Sequence, residues 1–426
     1  MGDLPGTIVF VVTLTALTTH FSLYVLILAA IRWLRPRPLR TGVADEREVT
    51  RRLTILIATY NEEALIEQKL DNLLGLLYPR SQLEVLLVDG GSTDRTLDLA
   101  EQFRARAGEL SLRILRSERR GKIPQLNAAL EVIEEDRIVV VTDADALIET
   151  PDALVRTVFL LEENESAGVV GGWTRPREST DGLHAESGYW DKQNRLRYLE
   201  TEAFSSSIVV APFYAFRRSM MRAFPPDCVA DDVYVSFVAH GAGLRVIYAP
   251  EIPVLELRQP ATLRELFLHK LRKADAYAKE IVRFTPRMVL RGPALFFFAA
   301  FRLFQFTCLP AATIGFAASS IDLLLARHFG LVGGGLVLFG LLILMASASM
   351  SPPPGHTRGG LRLISLRDSI LIFGLMLIVL NLNIFLYPFR RQGSSYSRIG
   401  KRRTAVDPVP AERAVHRAAV RPSRSM

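Results

Sequence analysis

The sequence predicts an α/β domain with a mostly parallel sheet, set between transmembrane α-helices. Three observations carry this reading. A 25-residue stretch without formal charge lies near the N-terminus, strand-like apolar runs alternate with helical patterns between about residues 50 and 260, and further long apolar stretches follow residue 293. The whole-chain figures agree. Of 426 residues, 49% are hydrophobic and 23% charged, and mean hydropathy is +0.20. A disordered, collagen-like or coiled-coil chain is excluded by those values. Cys228 and Cys308 are the two cysteines, which excludes a disulfide framework and a Cys-based zinc site. The net charge of +8 suits an anionic membrane surface or nucleic acid. Arginines flank the apolar stretches, so a membrane is expected and nucleic acid is not.

The N-terminal stretch, Thr7–Ile31, exceeds the roughly 20 apolar residues that cross the hydrocarbon core as a helix. A cleaved signal peptide would want a positive n-region, whereas Asp3 stands here. Arg32, Arg35, Arg37 and Arg40 follow, and the positive-inside rule puts the next domain in the cytoplasm. Residues 1–35 are therefore read as a transmembrane helix. In the domain at 50–260, Leu53–Ala58, Glu84–Val88, Leu112–Leu115 and Arg137–Thr142 read as strands. Ala64–Leu77, Asp94–Arg106 and Pro124–Glu134 read as helices between them, with Ser92, Thr93 and Asp94 as capping candidates. Strands that alternate with helices in this way build parallel sheets buried on both faces. Leu263–Arg283 is amphipathic at helical spacing, so 261–285 is expected to lie at the bilayer surface. Pro293–Ser320 (with Arg302 and Pro310), Leu331–Ser347 (with Gly333, Gly334 and Gly335) and Ser369–Phe389 give about three transmembrane helices over 293–390. The tail, 391–426, is basic and reads as disordered. Four spans would put it outside, against the charge rule, unless one stretch is re-entrant.

Ligands bind at the carboxyl ends of strands in such sheets. Polar clusters stand at those ends: Thr59-Tyr60-Asn61-Glu62, Asp89-Gly90-Gly91-Ser92 and Asp143-Ala144-Asp145. No Walker-type loop, no G-x-G-x-x-G after the first strand and no G-x-S-x-G is present, which speaks against a P-loop ATPase, a dinucleotide dehydrogenase and a serine hydrolase. Asp143 and Asp145 are spaced i, i+2 and point to one side of an extended segment. Such a pair suits Mg²⁺ or Mn²⁺, which take oxygen ligands and share them with substrate phosphates. A loop with two solvated acids is the alternative.

TILIATYNEE, LLVDGGSTDRT, RGKIPQLNAAL, VVVTDADA and VADDVYVSFVAHGAGLRVIYAPE occur in this order. Together they resemble a family 2 glycosyltransferase with its Rossmann-like GT-A fold, over about residues 50–275. The flanking helices resemble the membrane-integrated branch, which includes polysaccharide synthases and lipid glycosyltransferases. The resemblance implies roles for matching residues. Thr59, Tyr60, Glu62 and Asp89 would meet the base and ribose of a nucleotide-sugar donor, with Gly90 standing where relatives often carry a second acid. Gly121 and Lys122 would approach the diphosphate, and Asp143 and Asp145 would serve nucleotide and metal, Asp145 being the better metal ligand. Asp232, second acid of Ala230-Asp231-Asp232-Val233, would be the catalytic base, opposite the metal, which predicts inversion. Asp231 would orient it or cap the helix. Pro212–Arg218 resembles the acceptor-side segment, and Trp173 is either a site residue or core. Processive synthases carry Q/R-x-x-R-W on the amphipathic helix. Here His269-Lys270-Leu271-Arg272-Lys273 keeps Arg272, a candidate for the diphosphate, and loses the Trp.

The expected function is transfer of a sugar from a nucleotide-sugar, first of all a UDP-sugar, to a lipid or lipid-linked glycan acceptor. It would be catalysed by an integral cell-membrane enzyme of hexosyltransferase type whose site faces the cytoplasm. A processive polysaccharide synthase and a non-catalytic membrane scaffold on a transferase fold are the alternatives.

Overall fold

The computed structural model describes residues 4–37, 39–42, 50–164, 166–177, 184–260, 262–289 and 293–350, with 374–375, 377–379 and 381–382. The chain enters through α1 (Leu4–Thr18) and α2 (Tyr24–Leu34), joined by a single π-helical turn at Thr19–Leu23. The α/β domain then runs β1 (Leu53–Thr59), α3 (Ile66–Leu74), β2 (Leu83–Asp89), α4 (Thr96–Arg106), β3 (Ser111–Arg116), α5 (Lys122–Val132), β4 (Ile138–Thr142) and β5 (Ala146–Ile148). It continues with α6 (Ala153–Glu163), β6 (Ala167–Pro176), α7 (His184–Ala203), β7 (Phe213–Arg217), α8 (Asp231–Gly241) and β8 (Arg245–Glu256). Three long helices follow: α9 (Leu263–Val289), α10 (Pro293–Leu325) and α11 (Phe329–Ser349).

Eight strands form one sheet in the order β3-β2-β1-β4-β7-β6-β8-β5. The half expected to be parallel is so: β1 pairs in parallel with both β2 and β4, and β2 with β3. The other half mixes directions. β7 runs antiparallel to β4 and β6, β8 parallel to β6, and β5 antiparallel to β8. Because the strand order reverses at β1, a crevice opens at the carboxyl ends of β1, β2 and β4, where Thr59, Asp89 and Thr142 stand. Side chains alternate across the sheet. Ile55, Ile57, Val85 and Val140 join Leu70, Leu73 and Phe103 on one face, while Leu56, Leu86, Val139 and Val141 join Leu126, Leu130 and Val235 on the other. Burial on both faces is why these strands read as continuous apolar runs rather than alternating ones.

Three helices among the described residues are long and apolar enough to cross a membrane: Leu4–Leu34, Ala300–Leu325 and Phe329–Ser349. Pro310 is accommodated within α10 without ending it. Of the fourth expected span, Ser369–Phe389, the described positions 374–375, 377–379 and 381–382 are helical and the rest lies outside the described residues, as does the tail 391–426. The spans are packed onto the domain. Tyr24, Val25 and Leu28 of α2, Phe301 of α10 and Ala346 of α11 share one cluster with Leu199 of α7, Val233 and Phe237 of α8, and Ile281 and Phe284 of α9. Arg302, the charge in the second of these apolar helices, faces this junction. It lies 3.3 Å from the buried carboxylate of Glu200 on α7, which also accepts a hydrogen bond from Tyr24 Oη at 2.6 Å and from the Ser207 amide at 2.6 Å.

Candidate active site

The first wall of the crevice is made by the ends of β1 and β2. Asn61 takes a positive φ of 53° and its side chain accepts a bond from the Thr93 amide at 2.6 Å, tying the loop after β1 to the loop after β2. Asp89 is 1% exposed, and its carboxylate holds that second loop closed, accepting from the amides of Gly91 and Ser92, each at 2.9 Å. Thr59 Oγ1 is also buried, 3.4 Å from Asp89. Asp89 thus shapes this wall from behind. Gly90 has a steric reason: a Cβ there would meet Gln125 Nε2 at 2.9 Å, and that amide bonds the carbonyls of Thr59 and Val88 at 2.6 and 2.8 Å. A side chain here would have to displace the Gln125 amide from those two carbonyls. Tyr60 is the exposed member of the group, its ring under the guanidinium of Arg120 at 5.6 Å. Glu62 is held by both guanidinium nitrogens of Arg258, which enters after β8.

Two pairs of acids occupy the floor, with Lys122 between them. Gly121, at φ 118°, turns the chain into α5 and aims Lys122 inward. Lys122 Nζ lies 2.8 Å from Asp143 and 3.0 Å from Asp231. Asp145 is 4.0 Å from Arg258. Burial, and then the charge of Asp143, push the carboxyl of Asp145 up to about 6, with Arg258 pulling the other way. Two crowded carboxylates, both still reachable with side chains 29% and 21% exposed, are a donor set that a hard divalent cation would relieve. Among the described residues no group of three or more His, Cys, Asp or Glu could hold a metal. The pair fits a cation that takes its remaining ligands from a diphosphate and water, which is how Mg²⁺ is commonly held.

The second pair opens α8. Asp231 is buried, its side chain 3% exposed, and it accepts a 2.7 Å bond from Tyr214 Oη besides the Lys122 ion pair. Asp232 is partly exposed and accepts from the amides of Ala211 at 3.1 Å and Val233 at 2.9 Å. Burial, then the charge of Asp231, push Asp232 up to about 6, while Lys122 and Lys273 pull it down. A carboxylate at a helix N-terminus is favoured by the dipole, and here it also keeps basicity near neutral pH. Directly behind it, Val233 and Phe237 belong to the cluster shared with the membrane-type helices.

Other expected residues fall differently. In β7, which covers most of the segment expected on the acceptor side, Phe213, Tyr214, Ala215 and Phe216 are fully buried, and it is Ala211, just before it, that reaches Asp232. Trp173 is core, packed with Trp190, Val210 and Tyr248. Arg272 bonds His269 at 3.4 Å on α9, and the next residue, Lys273, acts on Asp232 and stacks over Trp190 at 5.3 Å. Lys273, at the position where processive synthases carry Trp, is thus a cation whose charge lowers the pKa of Asp232. Sequence reading missed Arg258, Gln125 and Lys69. A signal existed for Lys69: it falls three residues after Ile66 and one before Leu70, on the apolar face of α3.

Comparison with known proteins agrees with the fold. Residues 54–224 match the family model described as glycosyl transferase family 2. The chain is 25% identical over 236 residues to a poly-beta-1,6-N-acetyl-D-glucosamine synthase of Staphylococcus aureus, covering 54% of this chain and 56% of the relative. It is 24% identical over 254 residues to a probable glycosyltransferase of Bacillus subtilis, covering 55% and 57%. The chain thus spans little more than half the length of these curated relatives. Among solved structures, it resembles a mannosyltransferase from Pyrobaculum calidifontis in complex with GDP-Man and Mn²⁺, with TM-score 0.64 and 25% identity over 88% of this chain and 98% of the other. The expected GT-A fold is present, and residues 54–224 form a domain that matches glycosyl transferase family 2.

Proposed function

We propose that this protein is a membrane-integrated, inverting glycosyltransferase that moves a sugar from a nucleotide-sugar to a lipid or lipid-linked glycan acceptor. The observation that carries the acceptor class is the packing behind Asp232: the base-bearing helix α8 packs on Phe284 of α9 and so joins one apolar cluster with Tyr24, Phe301 and Ala346 of the apolar helices. An acceptor held in the bilayer would present its hydroxyl at that end of the crevice. The arginines after the first span put the domain, and the donor, on the cytoplasmic side.

In this reading Tyr60 and the β1–β2 loops receive the base and ribose, with Thr59 and Asp89 shaping their floor. Asp143 and Asp145 would hold Mg²⁺ or Mn²⁺, which supplies charge stabilisation for a departing diphosphate. Lys122 neutralises Asp143 and Asp231 until the donor arrives and then lies against phosphate. Arg258 keeps Glu62 and Asp145 in place. Arg272 faces the diphosphate from α9. Asp232 takes the proton from the acceptor hydroxyl as its oxygen attacks the anomeric carbon, and the bond to the nucleoside diphosphate breaks on the opposite face. Configuration at that carbon inverts.

Similarity to a poly-N-acetylglucosamine synthase favours processive synthesis as a second reading. Lys273, in place of the stacking Trp, favours single transfer. The test is a donor screen with detergent-purified protein and membrane lipid extract. UDP- and GDP-sugars are compared with and without Mn²⁺, and free nucleotide and the fate of radiolabelled sugar are read. Label entering the organic phase supports the proposal, and label precipitating as high polymer supports the synthase. Absence of nucleotide release with every donor contradicts both.

A further inference from the structure

Lys69 is a charged side chain that the steps above do not use. It is fully buried (0% exposed), among Ile66, Leu70 and Leu73 on the inner face of α3. Its ammonium donates to Thr142 Oγ1 at 2.7 Å and to the carbonyl of Ala146 at 2.6 Å. These two residues bracket Asp143-Ala144-Asp145, one on each side. Thr142 Oγ1 passes the contact on, donating to the carbonyl of Pro212 at 2.8 Å, and Pro212 follows Ala211, whose amide holds Asp232. One ammonium thus sits where the acidic turn meets the segment leading to the base.

We propose that Lys69 is a positioning residue for the transfer reaction: by tying Thr142 to Ala146 it fixes the turn from which Asp143 and Asp145 present their carboxylates to the cation. The inference rests on the reading of that pair as the cation site. A neutral side chain can pin backbone here, as Asn72 does one turn further along α3, exchanging bonds with both the amide and the carbonyl of Ile148 at 2.9 and 2.8 Å. A lysine is costlier to bury than an amide and needs a nearby negative charge. Asp143 and Asp145 provide it. Burial pulls Lys69 down to about 7, and those two carboxylates pull it back up. The charge therefore belongs to the same electrostatic unit as the acids, while its hydrogen bonds leave their oxygens open to a ligand. An arginine or lysine bonded directly to both carboxylates would have closed the site.

The experiment uses the full chain in detergent. Mn²⁺ binding in the presence of UDP or GDP is followed by loss of the free Mn²⁺ EPR signal, and hydrogen exchange of residues 142–148 is followed without metal. Lys69→Met is expected to weaken Mn²⁺ binding at least tenfold and to speed exchange across 142–148, with β1 and β2 unchanged. In turnover with an active donor, half-saturating Mn²⁺ rises tenfold while kcat at saturating Mn²⁺ stays within threefold. A role in folding alone would lower the active fraction, hence kcat, and leave half-saturation where it was. Should Lys69→Met fold poorly, Thr142→Val cuts the same tie while keeping the charge, with a threefold weakening expected. Wild-type Mn²⁺ affinity in both folded variants overturns the proposal, as does faster exchange with unaltered affinity. Failure of the wild-type chain itself to bind Mn²⁺ saturably is a different result: it overturns the metal reading of the acidic pair, and the role of Lys69 with it.

Discussion

The two acidic corners of the crevice are built alike and differ in what surrounds them. Each holds a pair of carboxylates, and in each the inner member, Asp143 or Asp231, is bridged by the same Lys122. The outer member, Asp145 or Asp232, is left with a carboxyl raised to about 6. The corner at Asp145 is ringed by cations, with Arg258 at 4.0 Å and Lys69 behind the turn. The corner at Asp232 is set by amides, a helix start and the charge of Lys273, and backs onto an apolar cluster shared with α9 and the apolar helices. At Asp145 burial and Asp143 raise the carboxyl against Arg258, and at Asp232 burial and Asp231 raise it against Lys122, Lys273 and the helix dipole. In the proposed function, one lysine spans both corners while the two similar pairs divide the labour.

The sharpest way to break that division is Asp232→Asn. Loss of a general base costs about 10²- to 10⁴-fold in rate, so nucleotide release should fall by that much with donor binding intact. Asp145→Asn should next remove Mn²⁺ dependence and cut turnover about a hundredfold, as several kcal/mol of charge stabilisation are lost. Lys122→Met tests the bridge. Lys122 lowers the pKa of Asp232, so its removal raises it. With Asp232 as the proposed base, wild-type activity is expected to fall as pH drops through about 6. The variant's acid limb should therefore move to higher pH by about one unit, read from kcat/KM profiles. Arg258→Gln is the smallest expected effect. Arg258 holds Asp145 down, so the variant's half-saturating Mn²⁺ should rise a few-fold at pH 6 and much less at pH 8.

The parallel half of the sheet was legible because strands buried on both faces are continuous apolar runs, and Leu53–Thr59 and Leu83–Asp89 lie within two residues of the expected bounds. The acids were legible because they stand at strand and helix ends. The antiparallel insertion of β7 and the three-residue β5 were not, since long-range pairing decides them and no local periodicity marks them. Arg258 and Lys69 escaped for a related reason. Arg258 meets Glu62 across 196 positions of sequence, and Lys69 meets Thr142 across 73. Asp89 was placed correctly at its strand end, but its oxygens turn to Gly91 and Ser92 because that loop carries three small residues with amides to satisfy.

The most direct measurement compares Mn²⁺-dependent donor binding with turnover in the two outer-acid variants side by side. Asp145→Asn is predicted to lose both, and Asp232→Asn to keep wild-type donor affinity while nucleotide release collapses. Retained release in Asp232→Asn, or an equal loss of binding in the two, would contradict the division of labour between the corners.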